Sequence, residues 1–261
     1  MSIHYKTQNI LSYRLWSLFS ISTLLWLCAQ NAYASVHWQT LTPGIEYTQL
    51  TDVQIMPLGK IHVFRIDLAL NQLQIGIAED RQGTTAKTIA KKHNALITTN
   101  GGFFSPELKS LGLRIEQGKI LSPLHPTPWW GIFYITGNKP YSTDIKNFRF
   151  KKEIQFAIQS GPRLIIHDHI PSLKPGLAER TAIGITHLGK IILLVTEQAP
   201  LSTRMLAKIM QNSMQNDGLD CMEALNLDGG HSSQVYAKIG DFTLDLPAFS
   251  QVADLVYVVN R

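Results

Sequence analysis

Cysteine is scarce in this chain of 261 residues, which contains only Cys28 and Cys221. Cys28 lies in an N-terminal segment that we expect to be removed, so the exported protein would contain no internal disulfide. Cys221 comes just before an apolar, strand-like run, a position that favours a buried and unreactive thiol. A cysteine nucleophile, which needs a histidine partner and an electropositive setting, is the alternative.

Acidic residues are absent from positions 1–34, where Lys6 and Arg14 precede or border an apolar run, Leu15–Ala29. Ala32-Tyr33-Ala34 then has the small-x-small pattern of a signal-peptidase site. The sequence therefore predicts a signal peptide over residues 1–34 and an exported protein, periplasmic or secreted, over residues 35–261. We expect no stable membrane span after cleavage.

Two alternatives to cleavage concern the same segment. A membrane anchor is disfavoured because the apolar run is short for a span of about 20 residues. Lipid attachment at Cys28 is disfavoured because Trp26 and Leu27 stand where small residues are expected.

Long basic runs and internal repeats are also absent. Removal of residues 1–34 leaves 22 Lys and Arg against 19 Asp and Glu, so the formal charge falls from +5 to +3. This charge does not indicate a nucleic-acid partner. Without a low-complexity linker or a repeat, the remaining length is typical of one large domain.

Strand-like patterns dominate what is present, and only two segments have clear helical spacing. One helix is predicted over Thr85–His93 and another over Ser202–Asp217, with the first residue of each as N-cap. The alternating runs 60–68 and 73–78 are predicted to form an antiparallel pair. The fold class expected from this is α+β, a large mixed and mainly antiparallel sheet with a few helices in a single domain.

Two similar turns follow two of the apolar strands. The run 224–227 leads into Asp228-Gly229-Gly230 and then His231-Ser232-Ser233-Gln234, and the run 95–99 leads into Asn100-Gly101-Gly102. Glycines remove the Cβ atoms that would keep a substrate or another backbone away, and they allow positive φ. A plain hairpin turn is the alternative for the first of these, since Asp-Gly is a common hairpin signal.

Three arginines lie beside strand or turn signals: Arg114, Arg163 and Arg180. Because a guanidinium forks onto carboxylate or phosphate, a converging set of arginines suits an anionic substrate. Polar residues also gather at predicted strand ends, among them Glu197 and Asn226.

An ordered set of four motifs resembles the phosphodiester glycosidase family. The motifs are Thr99-Asn100-Gly101-Gly102-Phe103-Phe104, Ser160-Gly161-Pro162-Arg163-Leu164, Arg180-Thr181-Ala182-Ile183-Gly184 and Asn226-Leu227-Asp228-Gly229-Gly230. The resemblance covers about residues 60–260 and implies cleavage of a sugar–phosphate glycosidic bond, with release of a free sugar and a phosphomonoester. It departs from many relatives at His231, where a further glycine is common, and this leaves the substrate open.

The resemblance places substrate-binding or catalytic roles on the motif residues. Phosphate is a good leaving group, so charge stabilisation by arginine replaces much of the role of a general acid. We expect Asp228 to act as nucleophile or base and Glu197 as the second carboxylate, with Arg163 and Arg180 on the phosphate. The predicted substrate-binding residues are Asn100, Gly101, Gly102, Arg114, Arg163, Arg180, Asn226, Gly229, Gly230, His231 and Ser232.

Other readings of these residues stay open. The sequence indicates no particular cofactor, although a divalent cation such as calcium would find oxygen ligands at Asn226, Asp228 and Ser232. Spacing typical of a zinc site is absent. The alternative functions are a non-catalytic carbohydrate-binding or exopolysaccharide-assembly protein on the same fold, and a serine hydrolase, for which the Gly-x-Ser-x-Gly turn is missing. The glycosidase interpretation requires the Asn100 and Asp228 turns to meet.

Overall fold

The computed structural model describes residues 36–51, 59–79, 82–213 and 218–261. In these ranges the chain forms seventeen strands and two α-helices, and the strands pair antiparallel. The predicted α+β class with mainly antiparallel pairing and few helices is therefore confirmed. The predicted signal peptide, residues 1–34, lies outside the described residues.

The strands form one seven-stranded sheet and two five-stranded sheets. In spatial order the first sheet contains β1 (Gln39–Thr42), β2 (Ile45–Leu50), β3 (Lys60–Ile66), β13 (Ile191–Glu197), β12 (Thr181–Thr186), β14 (Cys221–Asn226) and β11 (Arg163–Ile165). The second contains β7 (Lys119–Ser122), β6 (Arg114–Glu116), β10 (Ile154–Ser160), β8 (Gly131–Thr136) and β9 (Lys139–Asp144). The third contains β16 (Phe242–Leu246), β15 (Val235–Ile239), β5 (Ile97–Asn100), β17 (Asp254–Asn260) and β4 (Asn71–Ile77).

The three sheets share one apolar core. Phe64 and Leu193 of the first sheet, Phe156 of the second, and Ile97 and Val256 of the third belong to a single buried cluster. Burial of each such side chain stabilises the fold by roughly 1.5–3 kcal/mol. The sheets therefore pack their alternate, apolar positions against one another, and the ends of their strands lie around the rim of this core.

The two helices cover the outer faces of two sheets. Helix α1 (Ala86–His93) packs Ile89 beside Leu255 of the third sheet, and helix α2 (Thr203–Gln211) packs Met210 against the first. No helix in the described ranges is long and apolar enough to cross a membrane.

The predicted N-caps of both helices are confirmed. The side chain of Thr85 accepts a hydrogen bond from the Thr88 amide, and the side chain of Ser202 accepts one from the Met205 amide. Helix α2 ends at Gln211, earlier than predicted, and residues 214–217 of the predicted helix lie outside the described residues.

The prediction that runs 60–68 and 73–78 pair with each other is wrong. Strand β3 pairs with β2 and β13 in the first sheet, whereas β4 pairs with β17 in the third. Alternation correctly indicates that each strand turns one face to the core, but strands of different sheets facing the same core show the same pattern.

Candidate functional site

The residues predicted to carry function lie at strand ends, in all three sheets. Strand β5 ends at Asn100, β14 ends at Asn226 two residues before Asp228, β12 begins at Thr181 and β13 ends at Glu197. In the second sheet β6 begins at Arg114, and in the third β17 begins at Asp254. The hydrogen bonds described below join these ends into one site, except for the end of β13, where strand pairing alone relates Glu197 to Thr181.

The two predicted turns meet directly. The side-chain amide of Asn100 donates to the carbonyl of Asp228 over 2.8 Å, and the backbone N–H of Asp228 donates to the carbonyl of Gly101 over 3.1 Å. The hydroxyl of Thr181 donates to Asn100 Oδ1 over 2.7 Å, and the backbone N–H of Gln234 donates to the same oxygen over 3.3 Å. Asn100 is fully buried. The expectation that the turns come together is confirmed, and the Asn100 amide is what joins them.

Asp228 has an unusual electrostatic setting. Burial raises the pKa of its carboxyl above the ordinary value of 3.8, and the nearby charge of Asp254 acts in the same direction. A hydrogen bond from Ser232, one from the Gly229 backbone N–H and the charge of Arg114 lower the pKa but do not offset burial. The carboxyl is therefore a stronger base than an ordinary aspartate.

A buried ion pair contacts the first turn, Asn100–Gly102. Arg114 Nε donates to Asp254 Oδ1 over 3.1 Å, and neither side chain is exposed to solvent. The same carboxylate accepts the backbone N–H of Gly102 over 3.1 Å and the hydroxyl of Ser110. Because both charges are paired and hydrogen-bonded, the pair is tolerated in the interior and fixes the turn.

The ion pair also accounts for the two glycines of this turn. A Cβ at Gly101 would lie 1.9 Å from Asp254 Oδ1, and a Cβ at Gly102 would lie 2.4 Å from an Arg114 guanidinium nitrogen. Asp254 was not among the predicted site residues, because its stretch of sequence looks like an ordinary buried strand.

The three predicted arginines are each engaged by protein groups. Besides Asp254, the Arg114 guanidinium donates to the carbonyl of Gln159 over 2.9 Å. Arg163 pairs with Glu223 over 3.1 Å, and the Arg180 guanidinium donates to the carbonyls of Leu201 and Gly176 over 2.8 and 2.7 Å. Burial lowers the pKa of the Arg180 guanidinium. Binding of substrate by these arginines stays a prediction.

The second turn is held by backbone contacts. The N–H of Gly230 donates to the carbonyl of Glu179 over 2.8 Å, and a Cβ at Gly229 would lie 2.6 Å from that same oxygen. Gly230 has φ of +61° and open space where a Cβ would point. Asn226, at the end of β14, donates to the carbonyl of Gly161 over 3.0 Å and so joins this turn to the second sheet.

His231 and Ser232, in the second turn, differ in their exposure to solvent. His231 is exposed, with its ring 5.8 Å from that of Phe249. Ser232 is buried and hydrogen-bonds the Asp228 carboxyl. The departure from the motif at His231 therefore places an imidazole at the surface beside the turn.

Glu197 lies on the same side of the first sheet as Thr181. Val195, two residues before Glu197, pairs directly with Thr181, and diagonal neighbours on one face of a sheet are about 7–8 Å apart. Its carboxylate binds His62 Nε2 over 2.9 Å and lies 3.4 Å from the ammonium of Lys60. Glu197 and Asp228 thus occupy one rim, with strand β12 between them.

Two other predictions concern metals and cysteine. Within the described ranges no group of three or more histidine, cysteine, aspartate or glutamate side chains is arranged to hold a metal ion. Calcium binding by Asn226, Asp228 and Ser232 stays a prediction: the Asp228 carboxyl is hydrogen-bonded to Gly229 and Ser232, whereas the side-chain oxygen of Asn226 is buried and has no hydrogen-bond partner among the described residues. Cys221 is fully buried, and burial raises the pKa of its thiol, as expected for an unreactive cysteine.

A cavity of about 400 Å³ lies next to the joined turns. Gln234 lines this cavity together with Lys87 of helix α1 and Asp245 of β16. The side-chain oxygen of Gln234 accepts the backbone N–H of Ala86 over 2.7 Å, and its backbone N–H contacts Asn100. Gln234 therefore contacts both this space and Asn100.

Comparison with known structures defines the class of fold. The catalytic domain of zebrafish N-acetylglucosamine-1-phosphodiester alpha-N-acetylglucosaminidase is similar, with a TM-score of 0.63 and 15% identity over 87% of each chain. A hypothetical protein from Synechocystis is similar with a TM-score of 0.60 and 16% identity, over 87% of this chain and 64% of that one. At these identities the likeness shows a shared fold.

The family is shown by the sequence. The phosphodiester glycosidase family matches residues 93–259, which is more than half of the chain. The protein therefore belongs to the phosphodiester glycosidase family.

A curated relative matches over a shorter stretch. The uncharacterised protein YigE of Escherichia coli (strain K12) is 34% identical over 112 residues, which are 38% of this chain and 44% of that protein. The match thus spans less than half of the relative's length.

Proposed function

We propose that this protein is an exported hydrolase that cleaves the glycosidic bond of a sugar-1-phosphodiester. The observation that carries the proposal is the position of Asp228, a largely buried carboxyl of raised pKa at the point where the two glycine turns join. Membership of the phosphodiester glycosidase family supports the reaction class.

In the proposed reaction Asp228 takes a proton from water while the water oxygen attacks the anomeric carbon. The bond from that carbon to the phosphate oxygen breaks, and its electron pair leaves on the phosphate. A phosphate needs no proton to leave, so a general acid is not required. Burial acts to raise the pKa of the Glu197 carboxyl, but the hydrogen bond from His62 and nearby positive charge lower it overall. Glu197 therefore stays ionised and stabilises the positive charge that develops on the sugar ring.

Replacement of the base tests this proposal. Asp228→Asn should lower kcat/KM for release of phosphomonoester from sugar-1-phosphodiesters by at least about 10²–10³-fold, the scale for loss of one preorganised group. Asp241→Asn, the same change at an exposed turn, should leave the rate unchanged. Equal rates for the wild type and Asp228→Asn would contradict the assignment.

The raised pKa of Asp228 also fixes the pH dependence. The base must be ionised, so activity should fall as the pH drops through a value above 3.8. The folded protein favours the protonated form, so ionisation of Asp228 opposes folding above its folded pKa and has no effect below 3.8. Asp228→Asn should therefore be more stable than the wild type at neutral pH, with a gain that disappears in acid, as measured by denaturant unfolding.

A second candidate is a non-catalytic carbohydrate-binding or exopolysaccharide-assembly protein on the same fold. The observation that favours it is the engagement of Arg114 and Arg180 by protein groups, since a phosphate clamp needs available donors. Arg163 differs, because it donates to Glu223 through one nitrogen and its Nε has no partner among the described residues. Glycan binding without turnover across a broad panel of sugar-1-phosphodiesters would support this candidate over the hydrolase.

A further inference from the structure

Three side chains form a hydrogen-bonded line behind the rim of the site. The hydroxyl of Tyr47 on β2 lies 2.8 Å from His62 Nδ1 on β3, and His62 Nε2 lies 2.9 Å from Glu197 Oε2 at the end of β13. His62 is 2% exposed, whereas the Glu197 side chain is 26% exposed. The buried imidazole thus links a partly exposed phenol to a partly exposed carboxylate.

The chemistry of the three groups fixes their protons. An ionised carboxylate only accepts, so His62 Nε2 carries the hydrogen that binds Glu197. A neutral imidazole then leaves Nδ1 as an acceptor, so Tyr47 donates to it over 2.8 Å in preference to Gln49 Oε1, which lies 3.4 Å from the same hydroxyl. The tyrosine therefore selects the tautomer of His62 that can donate to Glu197.

The charges around His62 agree with this arrangement. Burial lowers the pKa of His62, although the hydrogen bond and charge of Glu197 act in the opposite direction. Burial and the charge of Glu197 raise the pKa of Tyr47 to about 12. Besides Tyr47 and Glu197, Lys60 acts on His62 and disfavours its charged form. At neutral pH the line is thus a phenol, a neutral imidazole and a carboxylate.

The position of Glu197 relates it to the two joined turns. It lies on the side of the first sheet that carries Thr181, whose hydroxyl binds Asn100 and so connects to Asp228. Without a donor on Nε2 the carboxylate would keep, of its ion pairs in the described ranges, the one with Lys60, a side chain that is 44% exposed. Exposed ion pairs constrain a carboxylate weakly.

We propose that His62 is a positioning residue that holds the Glu197 carboxylate ionised and oriented at the rim, with Tyr47 fixing the imidazole tautomer. This inference rests on the proposed function, in which Glu197 is the second carboxylate. It adds a residue of β3, outside every motif of the sequence, to the machinery of the site.

Titration of the Glu197 carboxyl, followed by NMR on the full chain, tests the positioning without any substrate. In the wild type the pKa of Glu197 should lie below its ordinary value of 4.5. His62→Met removes the donor at similar volume and should raise this pKa, whereas His62→Gln, which keeps a donor near Nε2, should shift it less. Lys60→Met is the matched control for loss of an exposed partner and should have the smaller effect.

Kinetics on a sugar-1-phosphodiester test the consequence for the reaction. His62→Met should lower kcat about 10–100-fold, the scale for loss of a group that orients a reacting ligand, with a smaller change in KM. His62→Gln should recover most of the rate. Tyr47→Phe, which keeps the aromatic packing against Phe64 and Phe242, should give an intermediate loss and serves if His62→Met does not fold.

The two arms separate the inference from the function on which it rests. An unchanged Glu197 titration and an unchanged kcat in folded His62→Met, or in Tyr47→Phe where His62→Met fails to fold, would overturn the role of His62. Absence of turnover by the wild type on the whole panel would overturn the proposed function. In that case a raised Glu197 pKa in His62→Met would still support the inference that His62 positions the Glu197 carboxylate.

Discussion

The Asn100–Gly102 turn and the Asp228–Gly230 turn have the same pattern of a polar residue followed by two glycines, but they are supported in different ways. The first lies on the buried ion pair between Arg114 and Asp254. The second is held by the carbonyl of Glu179, with a hydrogen bond to Gly230 and close contact at Gly229.

The difference shows what the glycines do. At Gly101, Gly102 and Gly229 a Cβ would meet protein atoms within 2.6 Å, so these glycines make room for the protein itself. Gly230 alone among the four has open space and a positive φ. The first turn is therefore a rigid support for Asp228. The second turn carries the Asp228 carboxyl, and in it Gly230 is needed for its positive φ rather than for the space it leaves.

Breaking the ion pair between Arg114 and Asp254 should have the largest effect, and it should affect the first turn more than the second. Asp254→Asn leaves the Arg114 charge buried without a partner, which costs about 3–5 kcal/mol in the free energy of unfolding. Hydrogen exchange should become faster at Gly101 and Gly102, whose N–H groups are bound by Asp254, and change less at Gly230. Denaturant unfolding and amide exchange measured by NMR check both effects.

Two further variants are controls for this prediction. Glu79→Gln breaks the exposed pair with Lys92 and should not change stability measurably. The double change Arg114→Met with Asp254→Asn removes both charges and should recover part of the loss. A double variant less stable than Asp254→Asn alone would contradict the uncompensated charge as the cause.

A methyl group at Gly101 should have the next largest effect. The added Cβ would lie 1.9 Å from Asp254 Oδ1, and overpacking of this kind costs about 1–3 kcal/mol. In a protein that already carries Asp254→Ala the clashing atom is absent, so Gly101→Ala should cost less there. A double-mutant cycle by denaturant unfolding measures the coupling; additive effects would show that the carboxylate is not the obstacle.

Much of the fold follows from local signals. The N-caps Thr85 and Ser202 appear where the sequence predicts them. Strand partners are harder, because β3 and β4 show the alternation of a pair and belong to different sheets. Periodicity identifies the face of a strand that is buried but not the strand beside it.

The site likewise contains some residues that the sequence predicts and others that only the tertiary structure reveals. The glycosidase interpretation requires the turns of Asn100 and Asp228 to meet, and they do. Asp254 and His62 lie within strands whose sequence shows no turn or motif. Asp254 contacts Arg114 across 140 residues of chain, and His62 contacts Glu197 across 135, so only the tertiary fold reveals these partners.

Substitution of Gly230 should have the smallest effect on the free energy of unfolding. Because open space surrounds the missing Cβ, Gly230→Ala meets no clash and costs only the left-handed conformation, about 1–2 kcal/mol. Gly230→Asn should cost less than Gly230→Ala, since asparagine tolerates this conformation better. Denaturant unfolding of the two variants beside Gly101→Ala ranks the constraints; if Gly230→Asn were the more damaging of the pair, space rather than backbone conformation would be what this glycine provides.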